Sequence, residues 1–479
     1  MRWLKHVGGF LCAAVIGVLA SVVGGYIVYL NGRPDLRPWH AARFQSEFRA
    51  GSPAKTLSEY LAIEDAVFRD LRTKVYDRVE ERRKLNRYSA GSLSDPTAYP
   101  KDWNRTFELV PTAPKGAVLL LHGLSGSPYS LRAIGERVLA EGYRVLGLRL
   151  PGHGTAPCGL VDATWEDWAA AVRLATRHLR SAVGPERPLV VVGYSNGGAL
   201  AVEHELARLG GEDLPRIDRL VLISPAIGVS PAAAAAVWQS RLARLPGMEK
   251  LAWNSIGPEY DPYKYVSFAV NAGDQAHRLT GVIATRFAAI DEGEGVKGFA
   301  RTIAFQSLID ATITARSLVE VMFSRLANEG HALVVYDINR EAEVGLLLTP
   351  YAENAPDWFV SGPPRRFATT LLANANPDSR ELVAISRSAG SSEAVRETTG
   401  LVWPVAIFSL SHVALPFSPE DPLYGAKPPA NRRTLYLGQA ALRGERGLLT
   451  LGAADLMRLR HNPFYAYEER RVLEFLAAR

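Results

Sequence analysis

Two cysteines in 479 residues, Cys12 and Cys158, cannot build a disulfide framework. No histidines and cysteines fall at metal-ligand spacing. No glycine-rich loop stands where it could cradle a phosphate, so the sequence asks for no metal and no cofactor. No internal repeat is visible. The net charge of +6 is mildly basic and could help association with anionic lipid. No basic block is interleaved with aromatic residues, which sets nucleic acid aside as a partner.

What the chain does have is a serine in a telling place. Ser195 lies in Gly193-Tyr194-Ser195-Asn196-Gly197, directly after the apolar run Leu189–Val192. A buried strand that runs straight into G-x-S-x-G, followed by the small, helix-compatible stretch Gly198–Val202, reads as a nucleophile elbow. Its strand-to-helix turn is so tight that the flanking positions must be small, and it lifts the hydroxyl above the sheet edge.

A serine hydroxyl needs a base to take its proton, and the base needs a carboxylate to fix its tautomer. Upstream, the strand candidate Ala117–Leu121 ends in His122-Gly123-Leu124, and we assign the oxyanion donors to the backbone amides of Leu124 and Asn196. His122, and His153 in the turn after the strand Tyr143–Leu150, read as loop-fixing histidines. For the acid the sequence offers Asp310, after the strand Ile303–Leu308, with Asp337 and Asp421 as rivals. For the base it offers His412, which follows Val405–Leu410 at a strand end. His331 precedes its strand and so falls at the wrong end of a sheet, and His461 reads as a surface residue.

Short apolar runs alternate with amphipathic stretches such as Trp165–Arg180 and Ala199–Leu209, which predicts an α/β fold with a mostly parallel sheet covered on both faces. With His122–Pro128, Leu148–Gly154, Tyr194–Gly198, Asp310 and His412, the chain resembles the α/β-hydrolase superfamily from Phe107 to Tyr424. Within it the chain is similar to the bacterial esterase and monoacylglycerol lipase-like group, also called serine aminopeptidase-like or lysophospholipase-like. The resemblance implies a central parallel sheet, a Ser195–His412–Asp310 triad and a cap inserted before the strand that carries the acid. One departure is plain: about a hundred residues separate Asp310 from His412, where relatives commonly have a few tens.

Residues 1–30 read as an N-terminal transmembrane anchor, because Val7–Leu30 carries no charge and a membrane-spanning helix needs about 20 residues. A cleaved signal peptide is the rival reading. Arg2 and Lys5 before the span nearly balance Arg33, Arg37 and Arg43 after it, and a short tail before a large domain favours a catalytic domain outside the cytoplasm. Residues 31–105 form a helical linker or packing segment, with Ala62–Leu85 as its helix. Residues 106–479 form the hydrolase domain, with a cap at 225–299 and a second insertion at 315–402. The cap aromatics Trp238, Trp253, Tyr260, Tyr263, Tyr265 and Phe268 serve either an acyl pocket or the cap's own core.

The expected activity is hydrolysis of a carboxylic ester, lipid-like or an acylglycerol, through an acyl-enzyme on Ser195. The same triad could serve an acyltransferase or a peptidase. A hydrolase scaffold could also act as a non-catalytic interaction module.

Overall fold

The structure, a computed structural model, describes residues 28–80, 85–228, 245–310, 314–341, 348–430, 434–438 and 458–478, with 17, 21, 24, 25, 242 and 243 besides. Most of the expected anchor Val7–Leu30 therefore lies outside the described residues. No helix among those described is long and apolar enough to cross a membrane.

Apolar runs with no polar alternation dictate the centre of the molecule. β1 (Phe107–Leu109), β2 (Ala117–Leu121), β3 (Arg144–Leu148), β4 (Leu189–Tyr194) and β5 (Arg219–Ile223) come first in the chain. In β2 and β4 every residue is buried, as a strand covered on both faces requires. Two short strands follow, β6 (Trp253–Ser255) and β7 (Phe268–Ala269), which pair only with each other. β8 (Arg301–Ser307), β9 (Ala332–Tyr336), β10 (Ala368–Asn374), β11 (Glu381–Arg387) and β12 (Val395–Val402) complete the set. The ten-stranded sheet runs β1-β3-β2-β4-β5-β8-β9-β10-β11-β12. From β3 to β10 all neighbours are parallel, while β1, β11 and β12 join antiparallel. Segment 315–402 supplies β9 to β12, which continue the same sheet.

After β2 the chain moves outward to β3, then returns to place β4 on the other side of β2. Such a reversal opens a crevice at the carboxyl ends of the strands, where open α/β sheets bind ligands. The loops after β2 and β4 both end there.

The helices follow the sequence signals. The charged segment after the expected anchor becomes α1 (Leu57–Lys74), begun by a Thr56–Glu59 capping box. Its last residue is Lys74, eleven residues short of the predicted end at Leu85, because the chain passes into a 3₁₀ turn at Tyr76–Arg78. Tyr60, Val67 and Leu71 face inward. α2 (Arg132–Ala140) and α3 (Trp165–Val183) cover the sheet. α3 starts on the Thr164–Asp167 capping box and ends at Gly184, whose φ of 81° suits glycine. α4 (Asn196–Leu209) follows the elbow, and α5 (Val270–Ile290) from the cap region packs on it. α6 (Tyr465–Ala477) closes the chain against β8.

The N-terminal segment is part of the core. Fully buried Arg149, just after β3, donates to Glu47 at 2.8 and 3.1 Å and to Glu64 at 3.2 Å. Arg49 and the Ala50 amide donate to Asp167 at 3.0 and 2.8 Å.

Candidate active site

The elbow has the geometry its sequence predicts. Ser195 adopts φ 52° and ψ −116°, a region that non-glycine residues rarely occupy. Its backbone is held on both sides: Ser195 N–H donates to Ile223 O at 2.9 Å, and Ala226 N–H donates to Ser195 O at 2.9 Å. The neighbouring glycines are obligatory. A Cβ on Gly193 would lie 2.6 Å from Gly198 Cα, and one on Gly197 would run into the carbonyls of Leu121 and His122. Gly123 allows the ring of Tyr194 to approach, since a Cβ there would sit 2.8 Å from it.

The acid and base expected from the sequence meet in space. Asp310 follows β8, and its Oδ1 lies 3.3 Å from His412 Nδ1. Asp310 is buried, and Gln306 Nε2 donates to its other oxygen at 3.4 Å. The His412 side chain keeps 17% of its surface exposed, enough to reach a substrate. His412 and Ser195 line one cavity of about 550 Å³, together with Leu124 and Asn196.

The rivals are engaged elsewhere. Asp337, at the end of β9, is clamped by Arg340 at 2.6 and 3.0 Å. Asp421 accepts from the Tyr129 hydroxyl at 3.0 Å and from the amides of Leu423 and Tyr424, both at 2.9 Å. His331 accepts from Thr302 N–H at 3.2 Å, at the strand end opposite the cavity. His461 departs from the sequence reading: it is buried, and that burial lowers its pKa.

His122 and His153 fix loops. Leu150 N–H donates to His122 Nε2 at 3.1 Å, so Nδ1 carries the proton and donates to Gly123 O at 2.9 Å. Burial, reinforced by neighbouring His153, holds His122 well below its usual pKa, and burial pulls His153 down to about 3. Both rings are therefore neutral at pH 7.

The aromatics of the segment read as the cap divide between packing and the cavity wall. Trp253 and Tyr263 are buried in packing, whereas Tyr260, Tyr265 and Phe268 also line the cavity. Tyr265 ties the cap region to the strand-end loops: its hydroxyl accepts from Thr155 N–H at 2.8 Å, and its amide donates to Ser125 O at 2.8 Å. Trp238 lies outside the described residues. Four ionisable residues on the cavity wall have no signature in the sequence: Asp261, Lys264, Arg458 and Arg460. They come from irregular segments almost two hundred positions apart, so no spacing rule joins them.

Residues 112–267 match the family Hydrolase_4, described as serine aminopeptidase, S33. The chain is 36% identical over 85 residues to a thermostable monoacylglycerol lipase of Bacillus sp. (strain H-257), covering 18% of this chain and 33% of that protein. It is 34% identical over 87 residues to a carboxylesterase of Bacillus subtilis (strain 168), covering 18% and 35%. The chain thus spans about a third of the length of the curated relatives it matches. Among solved structures, it is similar to one described with the metagenome-derived lipolytic enzymes LipS and LipT, at a TM-score of 0.39 and 24% identity, over 49% of this chain and 87% of that one.

Proposed function

We propose that this chain, which resembles the esterase and monoacylglycerol lipase-like group of the α/β-hydrolase superfamily, is a serine hydrolase of carboxylic esters. One observation carries the reading: a strained serine at a strand-to-helix turn shares a cavity with a histidine whose far nitrogen faces a buried aspartate.

In this reading Ser195 Oγ attacks the ester carbonyl while His412 Nε2 takes its proton. Asp310 accepts from His412 Nδ1–H, which fixes the tautomer and steadies the imidazolium that forms. The amides of Leu124 and Asn196 face the negative charge that develops on the carbonyl oxygen. His412 returns the proton to the leaving alcohol, and an acyl-enzyme remains. Water then attacks it, with the same imidazole as base, and frees the acid. The carboxylic ester class is supported by the named activities of the two bacterial relatives.

The test is direct. A fluorophosphonate probe labels Ser195 in the wild-type chain and not in Ser195→Ala, and that variant folds normally but loses ester turnover. Undiminished turnover in Ser195→Ala ends the proposal.

Membrane anchoring through Val7–Leu30, with the hydrolase domain outside the cytoplasm, belongs to the same proposal. It is supported by the uncharged length of that run. Carbonate-resistant sedimentation of the full chain, with protease access to the domain from outside the cytoplasm, is the expected result.

A further inference from the structure

Segment 259–267 of the cap region forms neither helix nor strand, yet its backbone amides are bound in a definite order. Those of Tyr263 and Lys264 donate to Asp261 Oδ1 at 2.9 and 3.1 Å. Those of Val266 and Ser267 donate to Glu259 at 3.1 and 2.8 Å. Both carboxylates are buried. Of five consecutive amides, four thus close on the segment's own side chains. The fifth, that of Tyr265, points outward and donates to Ser125 O at 2.8 Å. Burying two carboxylates costs free energy unless hydrogen bonds offset it. Here those bonds staple the segment and leave one donor aimed at the loop after β2.

That loop holds the proposed oxyanion donor. Ser125 follows Leu124 and is buried at φ 62°, a left-handed conformation that serine keeps only where its surroundings compel it. The peptide joining Ser125 to Gly126 is bonded at both ends. Its carbonyl accepts from Tyr265, and its N–H, the Gly126 amide, donates to Gly123 O at 3.1 Å. Gly123 O in turn belongs to the peptide whose N–H is that of Leu124. A planar trans peptide points its C=O and N–H in opposite directions. The Tyr265 amide and these two peptides therefore line up head to tail, with the Leu124 N–H at the free end. That N–H has no acceptor among the described residues, and Leu124 lines the cavity with Ser195.

Peptides chained in this way polarise one another, and a donor fixed in advance stabilises a developing oxyanion best. The outer end of the chain is itself held. Tyr265 is buried, and its hydroxyl accepts from Thr155 N–H at 2.8 Å and donates to Gly152 O at 3.2 Å. The Arg87 guanidinium lies 5.3 Å from its ring centroid. Gly123 O also accepts from His122 Nδ1–H at 2.9 Å, so it is held from within the loop and, through Gly126, from the cap region.

We infer that Tyr265 is a positioning residue for the oxyanion hole: its backbone N–H, acting through two peptides, aims and polarises the Leu124 donor. The cap region then sets the strength of that donor as well as walling the cavity. This inference rests on the serine hydrolase reading above and adds a residue outside the triad and its two oxyanion amides.

Backbone ester substitution in the full chain tests it. Replacing Tyr265 by 4-hydroxyphenyllactate, its α-hydroxy analogue, through nonsense suppression turns the N–H into an ester oxygen and keeps the side chain. The same replacement at Tyr263 removes an N–H that serves Asp261, and is the control. Both should lower the melting temperature. Only the ester at 265 should lower kcat for 4-nitrophenyl butyrate, about tenfold with KM within about twofold, since an oxyanion donor is loosened and not removed. It should weaken a trifluoromethyl ketone, whose serine adduct carries an oxyanion, by the same factor. Tyr265→Phe keeps the amide but frees the ring from Thr155 and Gly152, so kcat should fall less, again with KM unchanged. That variant decides the matter if the ester at 265 does not fold. Equal kcat and ketone affinity in the two esters, or unchanged kcat in Tyr265→Phe where the ester does not fold, overturns this inference alone, provided wild-type Ser195 takes the fluorophosphonate. A wild-type chain that neither turns over esters nor takes the label removes the parent reading and this one with it.

Discussion

At position 195 the backbone adopts a conformation that costs of order 1–3 kcal/mol for a residue other than glycine. The surrounding chain compels it through hydrogen bonds from Ser195 N–H to β5 and from Ala226 to the Ser195 carbonyl. The glycines beside it permit that geometry. Gly197→Ala would drive a methyl into two carbonyls of the β2 end, neither of which can rotate away. Its unfolding free energy should fall by roughly 2–3 kcal/mol or more in urea titration. Asp310→Asn should keep the fold and the KM but lower kcat roughly 10³- to 10⁴-fold, because the histidine loses its fixed tautomer. Asp337→Asn, which only loosens the clamp to Arg340, should leave kcat near the wild-type value. Single-turnover kinetics on the two variants separates the candidate acids. The positions of Ser195 and Asp310 were legible because each follows a buried apolar strand, β4 and β8. His412 also follows an apolar run, but Val405–Leu410 is irregular and not the expected strand, so its approach to Asp310 was legible from chain order and not from a strand end. His461 was not legible: Arg-His-Asn-Pro is polar, but Asn462 N–H donates to Phe417 O and draws the neighbouring ring inward.

Among the elements, α6 shows what periodicity leaves out. Tyr465, Glu468, Val472, Phe475 and Leu476 form its inner face, so a carboxylate is carried into the core. There Glu468 accepts from the Tyr336 hydroxyl of β9 at 2.8 Å and from Asn462 at 3.1 Å. Burial raises its pKa from 4.5 to about 8, with the Tyr336 hydrogen bond opposing in part. The sign follows from proton binding. Between pH 4.5 and 8 the folded chain holds a proton that the unfolded chain has released, so this group's stabilisation is complete below 4.5 and is lost as pH rises through 8. Glu468→Gln mimics the protonated form. Its stability relative to wild type should therefore climb with pH across that window, by up to roughly 1.4 kcal/mol per pH unit, and level off above it. Denaturant titrations at pH 5 and pH 8 measure the difference, and a flat difference contradicts the assignment. The pairing of Tyr336 with Glu468 spans 132 positions, which no local pattern can disclose. Of the helix bounds, the start at Trp165 was read as it stands, after the Thr164 capping box, whereas the helix read as Ala62–Leu85 runs Leu57–Lys74, five residues earlier at its start and eleven at its end.

For the whole molecule, the strap from Trp39 to Thr106 matters most. Sequence reading gave it a helix and a packing role but not its anchor, since the Arg149 contacts to Glu47 and Glu64 join residues 102 and 85 positions apart. Arg149→Ala would strand two carboxylates in the core and should cost about 3–5 kcal/mol, read by thermal or urea unfolding. Removing the strap should likewise yield an unstable remainder, because buried Arg149 then loses both of its carboxylates and keeps only the His153 carbonyl. The ten-stranded sheet was legible only as far as its apolar runs: β2, β3, β4 and β8 were read as strands, β5 was not singled out, and β12, exposed along most of its length, has no apolar run to mark it. The late strands β9 to β12 lie between Asp310 and His412. A ribosome must therefore translate and release four further strands after the carboxylate before the imidazole can reach it. A growing chain thus carries Ser195 for more than two hundred codons before His412 is made, so on the proposed reading the three groups come together only after the late strands have been synthesised.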